Sequence, residues 1–258
     1  MNMQIRDILE KFAKKEISIS EAEKLLRLNA IEEVEDLAKI DVSRQLRKGG
    51  PEIILAEGKL PEHTAKIAVK ALARNGSVII SRINDADDKA VRKNLPKGVS
   101  IEKNELARII VLRKGAKKKT TNGKVGIITA GTSDIAVAEE AKVVLEEMGC
   151  RAFCTYDVGV AGIHRLFPSI KMMIEEDVDV IVAVAGREGA MPTIIAGLVD
   201  VPIIGVPTSV GYGFGAKGIA ALQSMLQACS LGVATVNIDA GVAAGVIAGL
   251  IAKRASKS

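Results

Sequence analysis

The residues best suited to chemistry stand where long apolar runs end. In Val178 to Pro192, VDVIVAVAGREGAMP, the run from Val180 to Ala185 stops at Gly186, Arg187, Glu188 and Gly189. A strand buried on both faces reads this way where it surfaces at its carboxyl end. Ligands of an open parallel sheet bind beyond the carboxyl ends of its strands, so a carboxylate and a guanidinium between two glycines are candidate working groups. Ala130 is likewise followed by Gly131, Thr132, Ser133 and Asp134. Gly131 would let backbone approach a ligand, and the helix that follows presents an anion-binding N-terminus. Helix capping by Ser133 or Asp134 explains those residues equally well. Gly159, Gly162, His164 and Arg165 form a third group, with His164 at a predicted helix start and one of only two histidines in the chain. A lone histidine is more often structural than catalytic. The stretch Thr208 to Lys217, TSVGYGFGAK, holds Thr208, Ser209 and Gly211; its glycines are too many for a tight turn, yet lack the spacing of a dinucleotide fingerprint. Cys229 lies in QSMLQACSLGVATVNID, where a helix gives way to the last strand, and by spacing alone it reads as inert core or as a nucleophile. Cys150 and Cys154 lack the second pair a zinc site needs.

The elements that must position these groups follow from periodicity. Lys124 to Ala130, Arg151 to Asp157, Asp179 to Ala185, Pro202 to Pro207 and Val233 to Asp239 read as strands, alternating with helices near 134–149, 164–176, 192–199, 217–228 and 241–253. Five such βα units predict an α/β fold with a doubly wound parallel sheet over residues 117–258. Residues 1–116 predict a smaller domain, a helical hairpin followed by an α/β unit. Residues 4–39 carry helical spacing, with Ile5, Ile8, Leu9 and Phe12 on one face and Leu25, Leu26, Leu28, Ile31, Val34 and Leu37 later. Ser20 with Glu23 makes a capping box for the second helix. Arg44 and Arg47, if helical, share one face and suit a phosphate or a carboxylate, or else form a surface ion-pair face. Pro61 to Asn75 reads as a helix, and Ser77 to Ile83 and Ala107 to Arg113 as strands.

Composition narrows the function. Trp is absent and aromatic residues make up 2% of the chain, which argues against an aromatic platform for single-stranded nucleic acid, and no nucleic-acid partner is expected. The net charge of +5 is largely local, concentrated in Arg113 to Lys124, and reads as a solvated connector. The most apolar stretch, Gly241 to Ala252, is about a dozen residues, short of the roughly 18 to 20 that span a bilayer, so no membrane partner is expected. Three cysteines beside a charged, amphipathic N-terminal stretch predict a reducing, cytoplasmic setting.

The segment Lys124 to Ala252 resembles the aminoimidazole ribonucleotide carboxylase and mutase family of purine synthesis. AGTSD stands at that family's Gly-Ser-x-Ser-Asp turn, GIHR at its Ala-His-Arg, and AGREGAMP at its turn ending His-Leu-Pro. Ala190 takes the place of the second histidine and removes a proton-handling group. The whole chain is more similar to the pyridinium biscarboxylate mononucleotide synthase family of nickel-pincer nucleotide synthesis, through D-x-x-R-x-x-R-x-G-x-PE at Asp41 to Glu52, EGK at Glu57 to Lys59, DVGVAGIHRL, AGREGAMP, GVPTSVGYG and the Cys229 to Asp239 segment. This resemblance implies that carbon dioxide is added to the pyridinium ring of nicotinic acid adenine dinucleotide, and that the phosphoanhydride is then hydrolysed to release AMP. Cys229 matches the family's nucleophile and Glu188 its base, and both are expected at one cleft. The Gly131 to Asp134 turn, with Arg44, Arg47 or Arg82, is expected to hold the phosphates. His164, Arg165, Gly186, Arg187, Gly189, Thr208, Ser209, Gly211 and Asp239 complete the expected site. Mg²⁺ held by Asp134 or Asp239 would assist hydrolysis, with no bound organic cofactor. The related folds imply a homo-oligomer, with an octamer as one form. A purine mutase and a non-catalytic nucleotide-binding protein are the alternatives.

Overall fold

A computed structural model describes residues 5–28, 31–34, 38–41, 50–116 and 120–256. The chain divides into two compact units, Met1–Ile101 with Val111–Gly115, and Glu102–Ile110 with Ala116–Ser258.

The amino-terminal helices are α1 (Ile5–Ala13) and α2 (Ile19–Leu28), with Ile8 and Ala22 buried. The capping box falls two residues earlier than its expected place. Ser18 Oγ accepts from the Glu21 amide at 3.2 Å, and Glu21 Oε2 accepts from the Ser18 amide at 2.9 Å. Both serines have a glutamate three residues on; the earlier pair adds residues to the helix and so wins. The helical reading does not extend beyond α2. Strands β1 (Ile31–Val34) and β2 (Ala38–Asp41) pair antiparallel, with Ile31 opposite Asp41. The i,i+3 spacing of Ile31 and Val34 suits a helix, but β-branched residues also suit strands, and cross-strand pairing decides between them.

Strands β3 (Glu52–Leu55) and β4 (Ser77–Ser81) are parallel neighbours, in register Ile53 to Ile79. The crossover helix α3 (Pro61–Asn75) has the span expected from sequence, opened by proline at its first positions and closed by Gly76 at φ +73°. Helix α4 (Asp85–Asn94) has few apolar residues and is specified by its ends. Asn84 caps it reciprocally with Asp87, acidic residues fill the first turn, and Arg92 and Lys93 the last. Strands β5 (Val99–Asn104) and β6 (Ile109–Lys114) complete a four-stranded sheet of order β3-β4-β6-β5.

Residues from Lys124 onward build a five-stranded sheet from β7 (Lys124–Thr129), β8 (Arg151–Thr155), β9 (Val180–Ala185), β10 (Ile203–Pro207) and β11 (Val233–Thr235). All its pairings are parallel, and the order is β11-β10-β9-β7-β8. This is the flavodoxin-like arrangement, in which the chain passes from β7 outward to β8 and then crosses to the other side of β7 for β9, β10 and β11. Helices α5 (Ile135–Glu147) and α9 (Gly241–Ala255) pack together. Gly245 makes this close, since a Cβ there would lie 2.7 Å from the Ala141 carbonyl oxygen. Helices α6 (Leu166–Glu175), α7 (Met191–Ala196) and α8 (Ile219–Leu226) place Leu166, Ile170, Met173, Met191, Ile195 and Met225 in one core with Ile128, Ile181 and Ile203 of the sheet. Among the described residues no helix is long and apolar enough to cross a membrane.

Candidate functional site

The site is built where β7 and β9 end side by side. Between these neighbours the strand order reverses, so their following turns diverge and leave a crevice at the carboxyl edge. The first wall is the 3₁₀ turn Thr132–Asp134. Asp134 does not cap α5. Its carboxylate turns back, accepting from the Gly131 amide at 2.9 Å and from Thr208 Oγ at 2.6 Å. Both Asp134 and Thr208 are buried, so the pair ties the turn after β7 to the turn after β10. Burial raises the Asp134 pKa above the ordinary aspartate range, against the hydrogen bonds from Thr208, Gly131 and Gly186, while the Asp239 charge adds to the rise. Thr132 and Ser133 remain exposed on the same turn.

The second wall follows β9. Arg187 adopts φ +56°, a left-handed conformation that costs a residue with a side chain roughly 1 to 2 kcal/mol. Its amide donates to the Val210 carbonyl at 3.2 Å, and the Gly189 amide donates to Gly186 at 3.0 Å. Gly186 must be glycine here, because a Cβ would stand 2.6 Å from the Val210 oxygen and 2.7 Å from Thr208 Oγ. This close approach sets out Arg187 and Glu188, both exposed. The Arg187 guanidinium lies 4.3 Å from the centroid of the Tyr212 ring. Asp239, at φ +54°, accepts from the Ser209 amide at 2.8 Å and so fixes the turn that carries Ser209 and Gly211.

The turn after β8 is held from behind. Asp157 donates its amide to Thr129 Oγ at 3.0 Å, and its carboxylate pairs with Arg165 at 3.2 Å. His164 is exposed within the 3₁₀ turn Val160–Arg165, which precedes α6, so the histidine stands just before the helix start expected for it. Tyr156 donates to Glu139 at 2.5 Å, and Lys142 pairs with the same carboxylate at 3.1 Å. Burial pushes Glu139 up, but the hydrogen bonds led by Tyr156 outweigh it and leave the pKa lowered.

One expectation fails on topology. Cys229 does not share a cleft with Glu188 of the same chain. Gly232 accepts from the Ile203 amide at 2.9 Å, which aligns it with the start of β10, and Cys229 lies three residues earlier still. Glu188 lies beyond Ala185, which pairs with Pro207 at the other end of β10. About five residues of extended strand, roughly 17 Å, therefore separate the two edges. The Cys229 side chain is exposed, not core, while Cys150 is buried and Cys154 half-buried. Burial raises the pKa of both Cys150 and Cys154.

Arg44 and Arg47 lie outside the described residues. Among the described residues no three histidine, cysteine, aspartate or glutamate side chains gather as a metal site. The oxygens of Asp134 accept from Gly131 and Thr208, and one oxygen of Asp239 accepts from Ser209, so both carboxylates serve to hold the turns. The tie between Thr208 and Asp134 and the stacking of Arg187 on Tyr212 were not foreseen. A signal for the second existed: Tyr212 is one of only two tyrosines in a chain without tryptophan.

Residues 124–258 match the family model described as AIR carboxylase, and residues 31–114 match the LarB/PurE-like N-terminal domain. An uncharacterized protein of Methanocaldococcus jannaschii is 48% identical over 98% of both chains. An N5-carboxyaminoimidazole ribonucleotide mutase of Pyrococcus horikoshii is 36% identical over 47% of this chain and 67% of its own. A phosphoribosylaminoimidazole carboxylase of Schizosaccharomyces pombe is 25% identical over 65% of this chain and 30% of its own.

Proposed function

Because the chain belongs to the AIR carboxylase family and carries a LarB/PurE-like N-terminal domain, we propose that it carboxylates the pyridinium ring of nicotinic acid adenine dinucleotide and then hydrolyses the phosphoanhydride. The observation that carries this reading is the LarB/PurE-like domain at residues 31–114, together with Ala190 in the turn that holds Glu188. An electron-poor ring does not attack carbon dioxide. A thiolate of Cys229 adding to the ring carbon opposite the nitrogen gives a neutral dihydropyridine, an enamine whose carbon beside the adduct is nucleophilic. That carbon forms a bond to carbon dioxide and the ring nitrogen becomes an iminium. Glu188 then takes the proton from the newly carboxylated carbon, and the electron pair restores the ring as the carbon–sulfur bond breaks. The balance is one carbon dioxide gained and one proton lost, with the thiolate regenerated. Water then cleaves the phosphoanhydride to yield the mononucleotide and AMP.

General base and nucleophile must come within about 3 to 3.5 Å of the reacting atoms, so the edge-to-edge separation requires Cys229 and Glu188 from different copies of the chain. The exposed Leu226 and Leu231, which flank Cys229, are surface for another copy to cover. Two experiments test this reading. Incubation with nicotinic acid adenine dinucleotide, bicarbonate and Mg²⁺ is expected to give a product heavier by one carboxylate, and AMP. Turnover of an aminoimidazole ribonucleotide instead would establish the purine mutase reading, which the names of the partial relatives favour. Binding without any product would leave a nucleotide-binding protein. Secondly, subunit exchange between Cys229→Ser and Glu188→Gln proteins, each inactive alone, is expected to restore activity. Failure to restore it after demonstrated exchange would overturn the shared centre.

A further inference from the structure

Aromatic side chains are scarce in this protein, which has two tyrosines, four phenylalanines and no tryptophan. Tyr212 and Phe214 nevertheless stand in one loop at the carboxyl edge, 77% and 108% exposed. Rings left in water are an expense that a core poor in aromatics does not explain. The face of Tyr212 is also already in use, with the Arg187 guanidinium 4.3 Å from its centroid. Arg187 is the immediate neighbour of Glu188, and the Val210 carbonyl that fixes its amide lies two residues before Tyr212. The ring is thus presented to a planar cation beside the carboxylate, within a frame made rigid by the contact of Gly186 with Val210.

We infer that Tyr212 recognises the positive charge of the substrate ring, which displaces Arg187 from the tyrosine face. The inference rests on the function proposed above, in that the ring bound there is a pyridinium. A guanidinium stacked in solvent is held weakly, so exchange for a second flat, delocalised cation costs little. The exchange also moves Arg187 off the ring, and the Glu188 carboxylate keeps its place because the backbone of the turn is pinned independently of the Arg187 side chain. A neutral ring of the same shape gains no cation–π attraction and leaves Arg187 where it is. Tyr212 is therefore a residue of substrate selection, discriminating the oxidised, charged ring from a reduced one.

The test compares binding of nicotinic acid adenine dinucleotide with its reduced form, whose dihydropyridine ring is uncharged. With no tryptophan present, intrinsic emission arises from Tyr156 and Tyr212 alone. The wild-type full chain is expected to prefer the charged ring by about tenfold, with quenching of tyrosine emission by the charged ligand. Tyr212→Phe keeps the preference and loses most of the quenching, whereas Tyr212→Leu loses both. An unchanged preference in Tyr212→Leu, or equal binding of the two forms by the wild type, overturns the inference. If Tyr212→Leu does not fold, absence of quenching in the wild type overturns it alone. Product formation with preference unaffected by Tyr212 would defeat only this inference. A Tyr212-dependent preference without carboxylated product would defeat only the proposed chemistry.

Discussion

The two edges of the five-stranded sheet are finished in opposite ways. At the carboxyl edge the turns after β7, β9, β10 and β11 are laced to one another by Asp134 to Thr208, Arg187 to Val210 and Asp239 to Ser209. The exposed apolar side chains also differ in kind: at the carboxyl edge they include the rings Tyr212 and Phe214, whereas at the amino edge Ile174, Leu198, Leu226 and Leu231 are aliphatic, with Cys229 between the last two. A laced edge holds its groups in place without help. An exposed aliphatic edge is surface that another copy could cover, and under the proposed function Cys229 acts on a ring brought to it from such a copy. The comparison teaches that Glu188 and Cys229 lie at opposite edges of the sheet within a chain, so the proposed chemistry requires a second copy.

The strongest way to break this comparison is to remove the sulfur. Cys229→Ser is expected to lower carboxylation by on the order of 10³-fold or more while ligand binding at the carboxyl edge persists, measured by product mass and by equilibrium binding. Glu188→Gln is expected to cost about 10² to 10⁴-fold in the same assay, with the ring still able to form its sulfur adduct. An adduct seen by absorbance in Glu188→Gln and absent from Cys229→Ser would separate the two roles.

The lacing itself is tested by stability. Thr208→Val removes the donor to Asp134 and is expected to destabilise the fold by roughly 1 to 3 kcal/mol, read by denaturant unfolding. The sign with pH follows from the raised pKa of Asp134. Between its unfolded and folded pKa the native state binds more protons, so the contribution of Asp134 to stability falls as pH rises through that window. Without Thr208, one of the hydrogen bonds that favour the carboxylate is gone and the window widens. The deficit of Thr208→Val is therefore expected to be greater at neutral pH than near pH 4. Gly186→Ala crowds Val210 and the same Thr208 hydroxyl, and is expected to cost about 1 to 3 kcal/mol with a pH dependence of the same sign.

Much of this arrangement was legible beforehand. The run VIVAVA announces a strand buried on both faces, and all six of its residues are buried in the sheet. The turns after β7, β9 and β10 were located because small and polar types interrupt such runs abruptly, whereas the last strand ends at Thr235, short of the expected Asp239. Less legible were elements whose signal is local. Helix α4 contains only Ala86, Ala90 and Val91 as apolar residues, and its information lies in Asn84 and the order of its charges. Residues 31–34 combined helical spacing with strand-favouring β-branched types, and pairing with residues 38–41 chose between them. Asp134 looked like a cap because partners distant in sequence, such as Thr208, leave no trace in local spacing. The placement of Cys229 was a different matter, since a residue that precedes a parallel strand belongs to that strand's amino edge, and chain order alone carries this.

The union of α5 with α9 bears on how the molecule is made. Cys150, just after α5 and β8's neighbour in sequence, reaches the carbonyl of Gly249 across a separation of 99 residues. Until the ribosome has delivered residues 241–255, the small-residue groove over Ala141 has no occupant and a layer of nascent sheet stays wet. Closing this face therefore depends on contacts of high sequence separation rather than on local ones.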